Sequence, residues 1–252
     1  MSKKWFVAVS ILLGILISIP CFAEEGKGPI CYLKFDEGEG IIVKDSSGND
    51  NDGKILNKGK YTKWVESKIG KALEFTAEDP KLRSNNGCVE ISNMDKYDFS
   101  KGLTVEAWIK FNDKHKKGNT NEIISNTFSD RGKGFRFHIS YNQLGLKSGE
   151  GGGGKSWGVN SNPAKNPINN NVWYHVAGTY NGSVFKVYID GEETGVSKPD
   201  LALTKGQKTI YIGSYCGGSA YGFNGIIDEV KIYDYPRSAL DILKDAKLDE
   251  LI

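Results

Sequence analysis

VWYHVAGTYNGSVFKVYIDG, residues 172–191, carries the densest strand signal in the chain. Two runs rich in β-branched and aromatic residues, 172–180 and 183–189, flank Asn181-Gly182, and Asp190-Gly191 follows the second. Asn-Gly and Asp-Gly supply the positive φ that tight hairpin turns demand. The stretch therefore reads as a hairpin with a further turn behind it. The same grammar extends in both directions, with alternating or β-branched runs at 30–35, 71–75, 88–91, 103–111, 122–125, 134–141, 143–147, 209–213 and 225–233. Glycine is frequent and proline sparse, 31 against 7, and no helical periodicity interrupts the series until the C-terminus. No repeat of the length used by propellers or solenoids is present. These signals predict an all-β chain built as a two-sheet antiparallel sandwich.

The last stretch follows another rule. Ser238 stands as an N-cap with Asp241 three residues on, and Leu240, Leu243, Lys247 and Leu251 fall at helical spacing. A short C-terminal helix on the outside of the sandwich is expected.

The N-terminus reads as a leader. Lys3 and Lys4 precede an uncharged run from Trp5 to Ile19, Pro20 breaks it, and Cys21-Phe22-Ala23 offers small residues at the −3 and −1 positions. That layout predicts a signal peptide over 1–23 and a domain over 24–252 that is secreted, extracellular or periplasmic. The run is shorter than the roughly 20 apolar residues of a spanning helix, so no stable membrane span is expected after cleavage. Lipidation at Cys21 fits poorly, because Pro20 occupies the position of a small residue. Loss of Lys3 and Lys4 takes the formal charge from +2 to zero. A neutral chain with interspersed charges has no electrostatic footprint for nucleic acid. Cys31, Cys88 and Cys216 follow no zinc or redox spacing. Alternation puts Cys31 on the face of Leu33 and Phe35 as a buried thiol; Cys88 with Cys216 is the best remaining pair for one disulfide, a pairing that sequence alone does not fix.

Several segments, taken in order, resemble the laminin-G-like, concanavalin-A-like lectin/glucanase jelly-roll family. They are 31–40 (CYLKFDEGEG) with 45–53 (DSSGNDNDG), 70–75 (GKALEF), 103–109 (LTVEAWI), 173–180 with Asp190-Gly191, and 223–233 (FNGIIDEVKIY) leading into Pro236-Arg237-Ser238. The resemblance implies a concanavalin-A-like jelly roll over nearly the whole chain after the leader. It also implies a structural calcium joining the opening strand, first turn and closing strand, at Asp36, Asn51 and Asp228. Oxygen-rich turns of this kind serve equally as Asx turns with exposed acids.

Residues 149–156 (GEGGGGKS) fit a P-loop pattern by letter, but no helix follows to cradle a phosphate, so a surface loop is expected. Catalysis of the glycan-cleaving kind needs two carboxyls facing each other about 5–10 Å apart. No strand carries alternating acids. Asp228-Glu229 are adjacent, and adjacent strand residues point to opposite faces. His115, His138 and His175 form no metalloprotease motif, and no G-x-S-x-G is present. Trp108, Trp173 and His175 sit in core strands and read as structural.

Binding has positive signals. Phe135, Phe137, Ile139 and Tyr141 share one face of their strand, so Arg136 and His138 project outward. Trp157, Tyr215 and Tyr221 stand in glycine-rich loop company. Aromatic faces with fixed polar groups suit sugar rings. The expected function is a secreted carbohydrate- or glycoconjugate-binding module without catalytic activity, whose partner is a glycan or glycoprotein. An extracellular protein-binding or adhesion scaffold is the alternative, and a glycan hydrolase or lyase is disfavoured by the missing acids. Asn181-Gly182-Ser183 is a glycosylation sequon in a host that glycosylates and a hairpin turn otherwise.

Overall fold

The computed structural model describes residues 27–77, 86–112, 120–127, 133–149, 156–200, 202–215, 217–218 and 220–247. The leader at 1–23, most of the P-loop-like stretch and Cys216 lie outside the described residues. Among the described residues sixteen strands follow in chain order: β1 (Cys31–Leu33), β2 (Ile42–Val43), β3 (Gly53–Ile55), β4 (Thr62–Glu66), β5 (Lys71–Phe75), β6 (Val89–Ile91), β7 (Leu103–Phe111), β8 (Thr120–Ser125), β9 (Phe135–Ser140), β10 (Gln143–Gly149), β11 (Ser156–Asn160), β12 (Trp173–Tyr180), β13 (Phe185–Ile189), β14 (Glu192–Ser197), β15 (Ile210–Ile212) and β16 (Gly225–Tyr233), with one α-helix, α1 (Ala239–Ala246). Among the described residues no helix is long and apolar enough to cross a membrane.

The strands form two antiparallel sheets of eight. The first runs β14-β13-β12-β7-β16-β5-β4, with β1 also on β16, and the second runs β11-β10-β9-β8-β15-β6-β3-β2. The opening strand thus pairs with the closing one, as a jelly roll requires. Alternation built this core. Val105, Ala107 and Ile109 of β7 and Phe135, Phe137 and Ile139 of β9 are all buried between the sheets. A Cβ on Gly178 of β12 would lie 3.1 Å from Phe137 and 3.2 Å from Leu146, so its bare backbone lets the second sheet approach closely.

The opening hairpin holds, with one change. Asp190 and Gly191 both take positive φ, 51° and 81°, and join Ile189 directly to Glu192 in a two-residue turn. The Asn181-Gly182 turn is longer, because the first pair across it is Tyr180 with Phe185. The Asn181 side chain accepts from the Ser183 and Val184 amides and replaces the ladder there. Strands β2, β3, β4, β11 and β14 were not evident as separate runs in the sequence. Ile41, Ile42 and Val196 on or beside them are exposed, so their apolar pattern is weak.

Ser238 caps α1 by accepting from the Asp241 amide at 3.2 Å. The buried face of the helix is Ile242 with Ala246, not the Leu240–Leu243 row expected from spacing, and Leu240 is 61% exposed. Ile242 packs on Ala177 and Tyr188 of the first sheet. Polar contacts fix the rest: Arg237 donates to the fully buried Glu106 at 2.6 Å and to Asp245 at 2.5 Å. These contacts through Glu106 hold the helix over the first sheet. Trp108 and His175 are buried there and stack edge to face at 5.5 Å, as their structural reading predicted.

Candidate functional site

The outer face of the second sheet gathers most of the binding candidates. With Phe135, Phe137 and Ile139 turned inward, Arg136 points out from β9. It stands in register with Ser125 of β8 on one side and Lys147 of β10 on the other. A register shift between Glu122 and Ile124 in β8 sets Glu122 opposite His138. From there the Glu122 carboxylate, whose side chain is fully buried, meets the Arg136 guanidinium, 16% exposed. The Arg136 Nε and Nη2 both donate to Glu122 Oε1, the former at 2.7 Å.

Two tyrosines complete the setting. The Arg136 guanidinium faces the Tyr215 ring at 5.1 Å and the Tyr221 ring at 4.9 Å, and the rings meet edge to face at 5.7 Å. The loop between β15 and β16 presents them. Tyr215 donates its amide to the Ala220 carbonyl, which closes the loop on itself, and Tyr221 sits at positive φ, 51°. The Glu122 amide donates to the Tyr221 carbonyl at 2.9 Å, so the loop is pinned to the strand that carries the acid. Tyr215 is buried, while Tyr221 is half-buried. The arrangement holds a cation and an aromatic face rigidly at the surface of a sheet.

The other candidates fall differently. His138 shares the outward direction of Arg136 but is buried, with its imidazole lying over Gly145 of β10. Burial, followed by the charges of Arg136 and Lys147, pushes its pKa down to about 3. It is a neutral packing element, not the exposed polar contact expected. Trp157 lies in β11 and not in a loop. It pairs with Ser148, which pairs with Phe135, so it belongs to the inward row and stands apart from Arg136. Sequence reasoning missed Glu122 and Lys147. A lone acid within Thr120–Ser125, a strand otherwise read as core, was the available signal for Glu122. Nothing local in the sequence could set Lys147 opposite Arg136, because the register is a cross-strand property.

The proposed calcium ligands do not form one set. Asp228 is buried, with Oδ2 accepting from Ser67 at 2.5 Å and Oδ1 from the Glu229 amide at 2.9 Å. Burial lifts its pKa to about 8, and the negative charges of Glu229 and Asp36 add to the rise. Asp36 caps the Lys71 amide at 3.0 Å nearby. Asn51 is elsewhere. Its side chain donates to the Ile30 carbonyl and the Tyr97 hydroxyl, and its own carbonyl accepts from the Cys31 thiol. The turn it belongs to is organised by Asp45, which accepts from the Tyr32, Ser47 and Asn51 amides and the Ser47 hydroxyl. Among the described residues no group of three or more His, Cys, Asp and Glu is arranged to hold a metal ion. Asp36 is close enough for its charge to be felt at Asp228, whereas Asn51 is tied to Ile30, Cys31 and Tyr97.

Asp228 and Glu229 also correct the expectation that adjacent acids diverge. A bulge between Asp228 and Lys231, with Glu229 at φ 50°, inserts an extra residue into β16. Glu229 then accepts from the Tyr32 hydroxyl, and both acids are buried on the first sheet, away from Arg136 on the second.

A family model described as the concanavalin A-like lectin/glucanases superfamily matches residues 83–243. No curated protein sequence matches the chain. Among solved structures, domain 4 of AbnA, an extracellular arabinanase from Geobacillus stearothermophilus in complex with arabinotriose, is 19% identical, with 87% of this chain and 98% of that chain covered at a TM-score of 0.62. The binding domain of botulinum neurotoxin DC in complex with SialylT is 17% identical over 88% of this chain and 52% of that one, at 0.66. The same toxin domain in complex with rat synaptotagmin II is 16% identical over the same shares, also at 0.66. This chain spans about half the length of the toxin domains it matches, 52% in both cases. At these identities the likeness is one of fold.

Proposed function

Because this chain belongs to the concanavalin A-like lectin/glucanases superfamily, we propose that it is a secreted carbohydrate- or glycoconjugate-binding module without chemistry of its own, and that it binds with the face around Arg136. The observation that carries this reading is the Arg136 guanidinium held between the buried Glu122 carboxylate and two tyrosine rings. A sugar is recognised by an aromatic ring against its apolar side and by planar polar groups that fix its hydroxyls. Tyr221 offers the first and Arg136 the second. Both are held before any ligand arrives, which lowers the ordering cost of binding. The arabinotriose and SialylT complexes of the fold neighbours support a glycan, and the synaptotagmin complex is the support for a protein partner.

Export rests on the 1–23 leader, and calcium is proposed at Asp36 with Asp228, where it would brace the closing strand against the opening one. The buried acids Asp228 and Glu229, engaged by Ser67 and Tyr32, belong to the first sheet and take no part in the face around Arg136.

A glycan array probed with the purified protein and with Tyr221→Ala tests the reading. Binding to a defined glycan set that the variant loses is the expected result. No binding by the wild type, or binding equal in both, overturns it. Retention of a protein ligand under the same conditions favours the scaffold alternative.

A further inference from the structure

Lys147 stands directly across from Arg136 in the sheet register. Two cations side by side on adjacent strands repel one another. Glu122 balances one of them and is engaged by Arg136. Lys147 makes no ion pair among the described residues, and its side chain is half-buried on β10. Burial first and the Arg136 charge second hold its ammonium below the usual lysine range, while Glu122 acts in the opposite sense. Among the described residues Lys147 is therefore a half-buried cation with no ion pair, next to Arg136 on the face that presents Tyr221.

From this juxtaposition we infer that the ligand of this face carries an anionic group, a carboxylate or sulfate on the saccharide, received by Lys147. The inference rests on the glycan-binding reading above and narrows it to acidic sugars. A neutral sugar would leave the ammonium uncompensated beside a guanidinium. An anion gives it a charge-assisted hydrogen bond and offsets the repulsion across β9 and β10. The ammonium has three donors and no acceptor, so it selects for acceptors and for negative charge. The apolar side of the ring rests on Tyr221.

The test compares three matched oligosaccharides, one neutral, one with a uronic acid and one sulfated, by calorimetry on the wild type, Lys147→Gln and Lys147→Arg. The acidic ligands are expected to bind about tenfold or more tightly than the neutral one, as a charge-assisted hydrogen bond gives. That advantage is lost in Lys147→Gln, kept in Lys147→Arg, and reduced by added salt. Which acidic ligand gains most identifies carboxylate or sulfate as the recognised group. Lys147→Gln is also expected to melt no lower than the wild type, since it removes a repelled cation. Equal binding of neutral and acidic sugars, or an acidic advantage that survives Lys147→Gln, overturns this inference and leaves glycan binding intact. Failure of every glycan to bind removes both.

Discussion

Arg136→Ala would take the Arg136 guanidinium away from the buried Glu122 carboxylate, and the size of the loss can be worked from the site. The Glu122 side chain is 0% exposed and that of Arg136 is 16% exposed. Breaking a buried pair by removing one partner costs about 3–5 kcal/mol, and the lower end applies because water reaches the arginine side. Loss of the contact with the tyrosine rings adds about 0.5–1 kcal/mol. A total of about 3–4 kcal/mol lowers Tm by roughly 6–15 °C in a domain of this size. Urea unfolding followed by tryptophan fluorescence, with thermal melts alongside, reads both quantities. The control is the double variant Glu122→Gln/Arg136→Met, which strands no charge and is expected to regain about 2 kcal/mol of the single variant's loss. Should Arg136→Ala stay within about 1 kcal/mol of the wild type, or the double variant prove no better than the single, the pair is not the anchor of this face.

Three further outcomes follow from the geometry. Folding holds His138 neutral with a pKa of about 3, against 6.5 for the free group, so its contribution to stability is full above pH 6.5 and is lost as pH falls from 6.5 toward 3. His138→Phe should lose less stability than the wild type across that window, and parallel pH–Tm curves would refute the burial argument. Gly213 sits at φ 80° with a would-be Cβ 2.2 Å from Phe75, so Gly213→Ala combines backbone strain with a core clash. A loss of about 2–4 kcal/mol in urea unfolding is expected, and a neutral result would place Phe75 elsewhere. Calcium is expected to raise the Tm of the wild type and not of Asp228→Asn. An equal rise in both, or none in either, removes the ion from the Asp36–Asp228 position.

What the sequence determined by itself was whatever depends on local periodicity and turn chemistry. The strands 71–75, 103–111 and 225–233 match β5, β7 and β16 residue for residue, because β-branched alternation and flanking turn residues are local signals. The same holds for the Asp190-Gly191 turn and the Ser238 cap. Arg136, Tyr215 and Tyr221 were legible as candidates, since an outward polar position and glycine-rich loop aromatics can be read along the chain. Only the tertiary structure decided that Arg136 meets the two tyrosines, 79 and 85 positions further along the sequence, because a loop between β15 and β16 folds back onto β8. It also decided that Glu122 and Lys147 complete the face, through a register shift and a cross-strand pairing that no single strand encodes. His138 was moved from contact to packing by Gly145 on its neighbouring strand, and Trp157 from loop to edge strand by pairing with Ser148. Asp36 and Asn51 lie on one short stretch of sequence and were separated by where their hydrogen bonds go. Periodicity says which way a side chain points from its own strand; what it meets there is set by register, bulges and loop closure, which are properties of pairs of strands.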